Sequence, residues 1–266
     1  MKNVRVDTVT ISSLYVEPKL VNDQGEQFVL SSATAFTVKH KGYWYLVTNW
    51  HVVTGRNPDT DLAIDTKTCA LPNIMSVHFR AAPNVFNRVV IDFPLFVDGE
   101  PVWVEHRSGR EVDVVVIPIS KSEGVHLESL DLDTRKIDID IAPGLPVSII
   151  GFPFGLWNGP AFSIWKTGAI ASDVEVDYKN GRGAFLVDAS TRSGMSGSPV
   201  LLRAYNGYHT STRQYVMGEV TDKFLGVYSG RLNESSDVGI VWRADVLVEI
   251  LDRIERQGDK WRLVDD

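Results

Sequence analysis

Three side chains that could cooperate in nucleophilic hydrolysis occur at well-separated positions of the chain. Ser196 lies in the stretch GMSGSP, His51 in LVTNWHVV and Asp113 in EVDVVVIPI. Attack by a serine requires a hydroxyl on an exposed turn, an imidazole that removes its proton, and a carboxylate that holds the imidazole in the correct tautomer. The sequence therefore offers a candidate for each of the three roles.

The local contexts of these residues favour that chemistry. Gly194 and Gly197 flank Ser196, permit a strained turn and let backbone N–H groups point at a developing oxyanion. His51 directly follows an apolar strand, and Asp113 heads an apolar run in which a carboxylate needs a partner. Each motif alone has an ordinary interpretation as a surface histidine, a charge at a strand edge or a simple turn. Their joint order and contexts favour the catalytic interpretation.

Other aspartates also lie between His51 and Ser196. Asp59, Asp61 and Asp65 belong to a polar loop, where a carboxylate is solvated and needs no partner, and Asp92 precedes Phe93 and Pro94 without a following apolar run. Asp113 is therefore the preferred carboxylate.

The elements that must position these residues are strands. The apolar segments are short, rich in Val, Ile, Phe, Tyr and Trp, and separated by Gly, Asn, Asp and Pro, which predicts an all-β chain. The stretch ATAFTVKHKGYWYLVTNW predicts a hairpin around HKG, and FPLFVDGEPVWVEH predicts another around Asp98 and Gly99. Residues 243–257 break the pattern: apolar residues at helical spacing, with Gly258 after them, predict a C-terminal amphipathic helix packed on the strands. Residues 55–75 are predicted to form a long surface loop, an excursion from the strands.

Composition excludes several classes of function. The 266 residues, 44% of them hydrophobic, are enough for one large domain or for two halves of one. The net charge of -7 argues against a nucleic-acid or anionic-membrane surface, and no apolar run has the length of a signal peptide or a membrane span. We expect a soluble, cytoplasmic protein with no nucleic-acid or membrane partner. The single cysteine, Cys69, is expected to be a buried, inert residue.

The three motifs also carry a family resemblance. The chain resembles trypsin-like (chymotrypsin-fold) serine proteases, particularly the bacterial trypsin-like peptidase domains without a PDZ domain: TNWHVV resembles the family's histidine motif, DVVVIPI its aspartate motif and GMSGSP its serine motif. The order His, Asp, Ser is that of the family. IIGFPFG, KTGAI, DAS, LGVYSG and GIVW agree as well, so the resemblance covers about residues 30 to 245.

The resemblance implies two packed six-stranded antiparallel β-barrels with the active site between them. Residues 1–140 would form the N-terminal barrel with His51 and Asp113, and residues 141–266 the C-terminal barrel with Ser196, followed by the helix. Ser196 would be the nucleophile, His51 the general base and then acid, and Asp113 the orienting carboxylate. The N–H groups of Gly194 and Ser196 would form the oxyanion hole.

The resemblance also implies a specificity pocket. The residue six positions before the nucleophile, Ser190, would lie at the pocket base, where its neutral hydroxyl does not favour cleavage after Arg or Lys. Ser229, Gly230 and Gly239 would form the walls, which favours small or medium apolar side chains before the cut. Ser229 is further expected to hydrogen-bond to Asp113, with a slip of one or two residues in the loop alignment left open.

Two departures from the family pattern affect the expected regulation. Met195 replaces the aspartate that pairs with a newly cut N-terminus in trypsin-like zymogens, so activation by such a cut is not expected. Ser198 replaces the second glycine of the serine motif and adds a side chain near the turn.

Rival functions come from other classes. An α/β-hydrolase esterase would need G-x-S-x-G, the order Ser, acid, His, and alternating strands and helices, none of which is present. A non-catalytic peptide-binding module and a latent, partner-activated protease remain alternatives, because fold does not guarantee activity. The favoured prediction is a serine endopeptidase that cleaves an extended protein or peptide substrate through an acyl-enzyme, with no metal or cofactor. A regulatory partner protein is left open.

Overall fold

A computed structural model describes residues 4–178, 181–233, 235–257 and 260–263, and these residues form mainly β-strands. Short apolar runs rich in β-branched and aromatic residues suit a pleated, buried surface. In the first half of the chain the strands are β1 Ser13–Val21, β2 Gln27–Val29, β3 Ala33–His40, β4 Tyr43–Thr48, β5 Ile74–Ala81, β6 Arg88–Pro94, β7 Phe96–Val97, β8 Glu100–Pro101, β9 Val104–Glu105, β10 Val115–Ile119 and β11 Val125–His126.

The first half is organised around one antiparallel sheet. Its described strands follow the order β11-β5-β1-β3-β4-β10-β9, with β2 added beside β1 and β6 beside β5. It therefore has nine strands where we expected six, because the three short strands β2, β9 and β11 extend it. Both predicted hairpins are confirmed: His40 pairs with Tyr43, and Val97 pairs with Glu100.

The second half contains a closed six-stranded barrel, as predicted. Its strand order is β12-β13-β14-β19-β18-β15. The strands of this half are β12 Pro146–Gly151, β13 Ile164–Ile170, β14 Ala184–Asp188, β15 Pro199–Ala204, β16 Tyr208–His209, β17 Tyr215–Val216, β18 Thr221–Arg231, β19 Val238–Arg243, β20 Ile254–Gln257 and β21 Lys260–Leu263. The predicted boundary between the halves at residue 140 falls between β11 and β12 and stays a prediction.

Few helices interrupt the strands in the described part of the chain. The α-helices are α1 Thr8–Ser12, α2 Trp50–Thr54 and α3 Ala244–Arg253, and short 3-10 helices span Gly109–Glu111, Leu132–Lys136 and Pro153–Gly155. As predicted, α3 packs its apolar stripe inward, with Val246, Leu247, Ile250 and Leu251 buried. Among the described residues, no helix has the length and apolar character that crossing a membrane requires.

The predicted extent of the last helix is wrong. The helix ends at Arg253, and residues 254–257 form β20, which pairs with β21. The hairpin is anchored by Trp261, whose ring lies edge-on to Tyr43 and Tyr45 at centroid distances of 4.9 and 5.9 Å. This aromatic packing outweighs the helical spacing of Ile254. The expected end at Gly258 lies outside the described residues.

The prediction for Cys69 is also wrong. The residue is exposed and has a φ of 53°, within a segment that has no strand between Gly55 and Asn73. Cys69 N–H donates to the Asp65 carbonyl at 3.0 Å, and this tight turn directs the side chain to solvent.

The two halves meet along β3 and the loop that contains Ser196. Thr34 of β3 donates its Oγ1 hydroxyl to the Gly194 carbonyl and its backbone N–H to the Ser196 carbonyl, both at 2.8 Å. Phe36 of the same strand lies edge-on to Phe224 of β18, with ring centroids 5.9 Å apart. The serine loop is therefore held by a strand of the other half.

Candidate active site

His51 is positioned by the junction of β4 and α2. The chain leaves the strand at Thr48 and turns into a one-turn helix, so that the imidazole projects from a rigid support and stays partly exposed. Its Nδ1 lies 2.7 Å from Asp113 Oδ2, and its backbone N–H donates to Asp113 Oδ1 at 2.9 Å. An ionised carboxylate only accepts hydrogen bonds, so Nδ1 carries the proton and Nε2 is the free lone-pair nitrogen of neutral His51.

Asp113 is the buried centre of this arrangement. The residue is only 1% exposed and lies two positions before the start of β10. Its Oδ2 also accepts the Ser229 hydroxyl at 2.5 Å, from β18 of the second barrel, as predicted from the resemblance. Asn49 donates its side-chain amide to the Asp113 carbonyl at 2.6 Å. The hydrogen bonds from His51 and Ser229 offset the desolvation of the carboxylate and fix its direction, and the bond from Asn49 holds the backbone of Asp113.

The turn that carries Ser196 depends on its glycines. Gly194 and Gly197 have φ angles of 93° and 82°, in the region that favours glycine. A Cβ at Gly194 would lie 2.2 Å from the Phe152 carbonyl oxygen, and one at Gly197 would lie 2.1 Å from the Thr34 carbonyl oxygen. The small residues of the motif are therefore required by close backbone packing as well as by the turn.

The peptide unit before Gly194 has a fixed orientation. The Ser193 carbonyl accepts the Phe154 N–H at 2.6 Å. In a trans peptide the C=O and the following N–H point in opposite directions, so the Gly194 N–H points away from Phe154. Within the described part of the chain, the N–H groups of Gly194 and Ser196 donate to no carbonyl. The turn thus holds two unused backbone donors beside the Ser196 hydroxyl.

A cavity of about 530 Å³ lies between the two halves at this point. The predicted residues His51, Asp113, Ser196, Ser229 and Gly230 all line it. The excursion after His51 contributes Asn57, Pro58, Asp59 and Ile64, and the second half adds Thr191, Arg192, Ser193, Tyr228, Arg231, Leu232, Asn233 and Ile240. A serine hydroxyl, an imidazole and a buried carboxylate therefore share one open cleft.

Two of the predicted pocket residues do not line the cavity. Ser190 is exposed. The next residue, Thr191, is buried and lines the cavity where Ser190 was expected. Gly239 is buried beneath Tyr228, because a Cβ there would lie 2.5 Å from Tyr228 Cε2. The Tyr228 hydroxyl lies 2.5 Å from Thr191 Oγ1. Thr191 and Tyr228 line the cavity instead, and Thr191 differs by one residue from the expected Ser190.

Sequence reasoning missed several residues that support the site. Asn49 belongs to the TNWHVV motif and could have been noticed there. Thr34 bonds to the serine turn from the other half, and Phe154 bonds to it through its backbone within the second half, so neither left a local signal. Met195 is fully buried in the core of the second barrel. This apolar packing accounts for a methionine at the position before Ser196.

A second cavity, of about 680 Å³, lies between the β7–β9 region and β21. Its lining includes Trp103, His106 and Trp261 but no serine or cysteine. Among the described residues, no group of three or more His, Cys, Asp or Glu side chains could hold a metal ion. The cleft at Ser196 is therefore the site with the residues for covalent chemistry.

The chain is similar to known proteins in sequence and in fold. The family model described as "Trypsin-like peptidase domain" matches residues 33–206. The structure is similar to that of the serine endoprotease from Yersinia pestis, with a TM-score of 0.52 and 15% identity over 94% of this chain and 67% of that one. An inactive mutant of Rv3671c from M. tuberculosis H37Rv gives a TM-score of 0.45 and 15% identity over 92% of this chain and 86% of that one. The comparison with curated proteins gave no match. The chain has the chymotrypsin-like fold and belongs to the trypsin-like peptidase family.

Proposed function

We propose that the protein is a serine endopeptidase in which Ser196, His51 and Asp113 act as a catalytic triad. The observation that carries the proposal is the hydrogen bond of 2.7 Å between His51 Nδ1 and the buried Asp113 carboxylate. This bond selects the tautomer in which Nε2 accepts a proton. Ser196, on its glycine-bounded turn, lines the same cavity as the imidazole.

The reaction follows from these positions. Ser196 Oγ attacks the substrate carbonyl carbon while its proton passes to His51 Nε2, and Asp113 stabilises the resulting imidazolium. The oxyanion accepts hydrogen bonds from the N–H groups of Gly194 and Ser196. When the C–N bond breaks, His51 returns the proton to the leaving amine. A water molecule then attacks the acyl-enzyme by the same proton transfers and restores the serine.

The substrate is an extended segment of a protein or peptide. The pairing of β15 with β18 ends at Pro199 and Val227, so the edge of β18 from Ser229 to Arg231 extends beyond that partner beside the cleft. A Cβ at Gly230 would have no atom within 4 Å, which leaves room for a substrate backbone along this edge. Binding by strand addition uses such an edge. The neutral floor at Thr191 and Tyr228 favours small or medium apolar side chains before the cut.

A fluorophosphonate probe tests the proposal without knowledge of the substrate, because it reacts with an activated serine. We expect the wild type to be labelled and Ser196→Ala and His51→Ala to lose labelling. Ser211, an exposed serine on the β16–β17 connection, provides the matched control: Ser211→Ala should be labelled like the wild type. A folded wild type that fails to react would contradict the proposal and favour a binding module or a partner-activated form.

A further inference from the structure

The side chain of Tyr228 lines the same cavity as Ser196. Its backbone is tied to the serine turn at both ends: the Gly197 N–H donates to the Tyr228 carbonyl at 2.9 Å, and the Tyr228 N–H donates to the Ser198 carbonyl at 2.8 Å. The ring of Tyr228 therefore has a fixed position relative to Ser196.

The direction of the ring follows from the strand. Adjacent residues of a strand point to opposite faces, and Ser229 points to Asp113 while Tyr228 points into the second barrel. A β-bulge between Tyr228 and Gly230 displaces the strand at this point. The Tyr228 hydroxyl bonds to Thr191 Oγ1 at 2.5 Å, and its ring covers Gly239 so closely that no Cβ would fit there. The ring thus spans the floor from Thr191 to Gly239.

The floor made by this ring is shallow and uncharged. Tyr228 is only 2% exposed, and burial raises the pKa of its hydroxyl to about 12, so the group stays neutral. Ile240 adds an apolar wall beside it. A side chain entering here meets a rigid aromatic surface instead of a deep pocket, and it finds no carboxylate at Thr191 or Tyr228 to pair with a cation.

We propose that Tyr228 is the specificity-determining residue of the site and restricts the residue before the cut to small side chains such as Ala, Ser and Val. The inference rests on the proposed peptidase function and narrows it. Because the fit of one methylene group in an enzyme pocket can change kcat/KM by about 10- to 200-fold, we expect Ala to be preferred over Phe by at least about 10²-fold.

The experiment measures cleavage of a peptide library that varies only the residue before the cut, by the wild type, Tyr228→Val and Tyr228→Phe. In Tyr228→Val the ring is absent, and hydrolysis after Leu and Met should rise at least about tenfold relative to Ala. Tyr228→Phe keeps the ring and loses only the hydroxyl, so the order of preference should remain that of the wild type. Fluorophosphonate labelling and thermal unfolding show that each variant is folded and has an activated serine.

The outcomes separate the two proposals. A wild type that is labelled but hydrolyses peptides after Leu or Phe as readily as after Ala overturns the role of Tyr228 and leaves the peptidase function standing. This holds even if Tyr228→Val does not fold. A labelled, folded Tyr228→Val with unchanged preference also overturns it. A folded wild type without labelling counts against the peptidase function itself.

Discussion

Replacing Asp113 by asparagine removes one negative charge from the centre of the proposed triad. In the transition state His51 becomes a cation whose Nδ1 lies 2.7 Å from Asp113 Oδ2. With an effective dielectric constant of about 20, two unit charges at this distance attract each other by about 6 kcal/mol. Since each 1.36 kcal/mol is a factor of ten in rate, the loss corresponds to about 10⁴-fold in kcat. Water cannot replace the charge, because Asp113 is 1% exposed.

The tautomer of His51 changes the rate in the same direction. An asparagine amide can turn its N–H₂ towards Nδ1, which would then have to accept and would leave Nε2 protonated. The His51 backbone N–H at Oδ1 can only donate, whereas the Ser229 hydroxyl at Oδ2 can also accept, so the amide nitrogen would take the Oδ2 position, which faces Nδ1. The wrong tautomer alone accounts for losses of about 10⁴-fold in this kind of triad.

The assay is the second-order rate of fluorophosphonate labelling, followed by kcat/KM once a peptide substrate is known. Asp92→Asn is the control, because Asp92 is an exposed carboxylate of the first half that contacts Ser76 instead of His51. Thermal unfolding should show both variants folded. An Asp113→Asn protein that reacts within tenfold of the wild type would refute the orienting role of Asp113.

Three further perturbations probe other contacts of the site and core. Gly194→Ala places a Cβ 2.2 Å from the Phe152 carbonyl oxygen, so the Gly194 N–H should shift and kcat should fall by about 10²- to 10³-fold in a peptidase assay. Ser229→Ala removes one hydrogen bond to the carboxylate, roughly 1.5 kcal/mol, and should lower the labelling rate by about tenfold; an unchanged rate would show that this contact is dispensable. Burial raises the pKa values of Tyr15, Tyr45 and Tyr228 to about 12, so their stabilisation is complete below the unfolded value of 10 and is lost as the pH rises through 12. A tyrosinate absorbance titration should show an ionisation step from these three tyrosines at about pH 12.

Much of the proposed triad could be predicted from the sequence, because local structural requirements determine the residue types in its motifs. Positive φ angles and close backbone packing require glycine at Gly194 and Gly197, and a position that requires glycine is visible in the sequence itself. His51 and Asp113 adjoin the buried strands β4 and β10, which pair with each other in the sheet. Predicting these two strands therefore places both side chains near one end of the same strand pair.

The residues that line the specificity pocket were harder to predict, because lining depends on the direction in which each side chain points. A slip of one residue in a strand or loop exchanges the inward and outward faces, and this slip separates exposed Ser190 from buried Thr191. The sequence also does not state that Tyr228 packs over Gly239, since the two residues belong to different strands beside a bulge. The count of strands in the first half and the end of α3 depended likewise on pairing between distant segments.

The contacts across the two halves connect folding to the proposed activity. Asp113 of the first half accepts the hydroxyl of Ser229, and Thr34 of the first half donates to the carbonyl of Gly194, over sequence separations of 116 and 160 residues. Neither half alone can therefore orient His51 and hold the serine turn. Such distant contacts form only when both sheets are folded and docked. A nascent or partly unfolded chain lacks the assembled site, so reaction with an activated-serine probe should appear together with docking of the halves and should disappear with it.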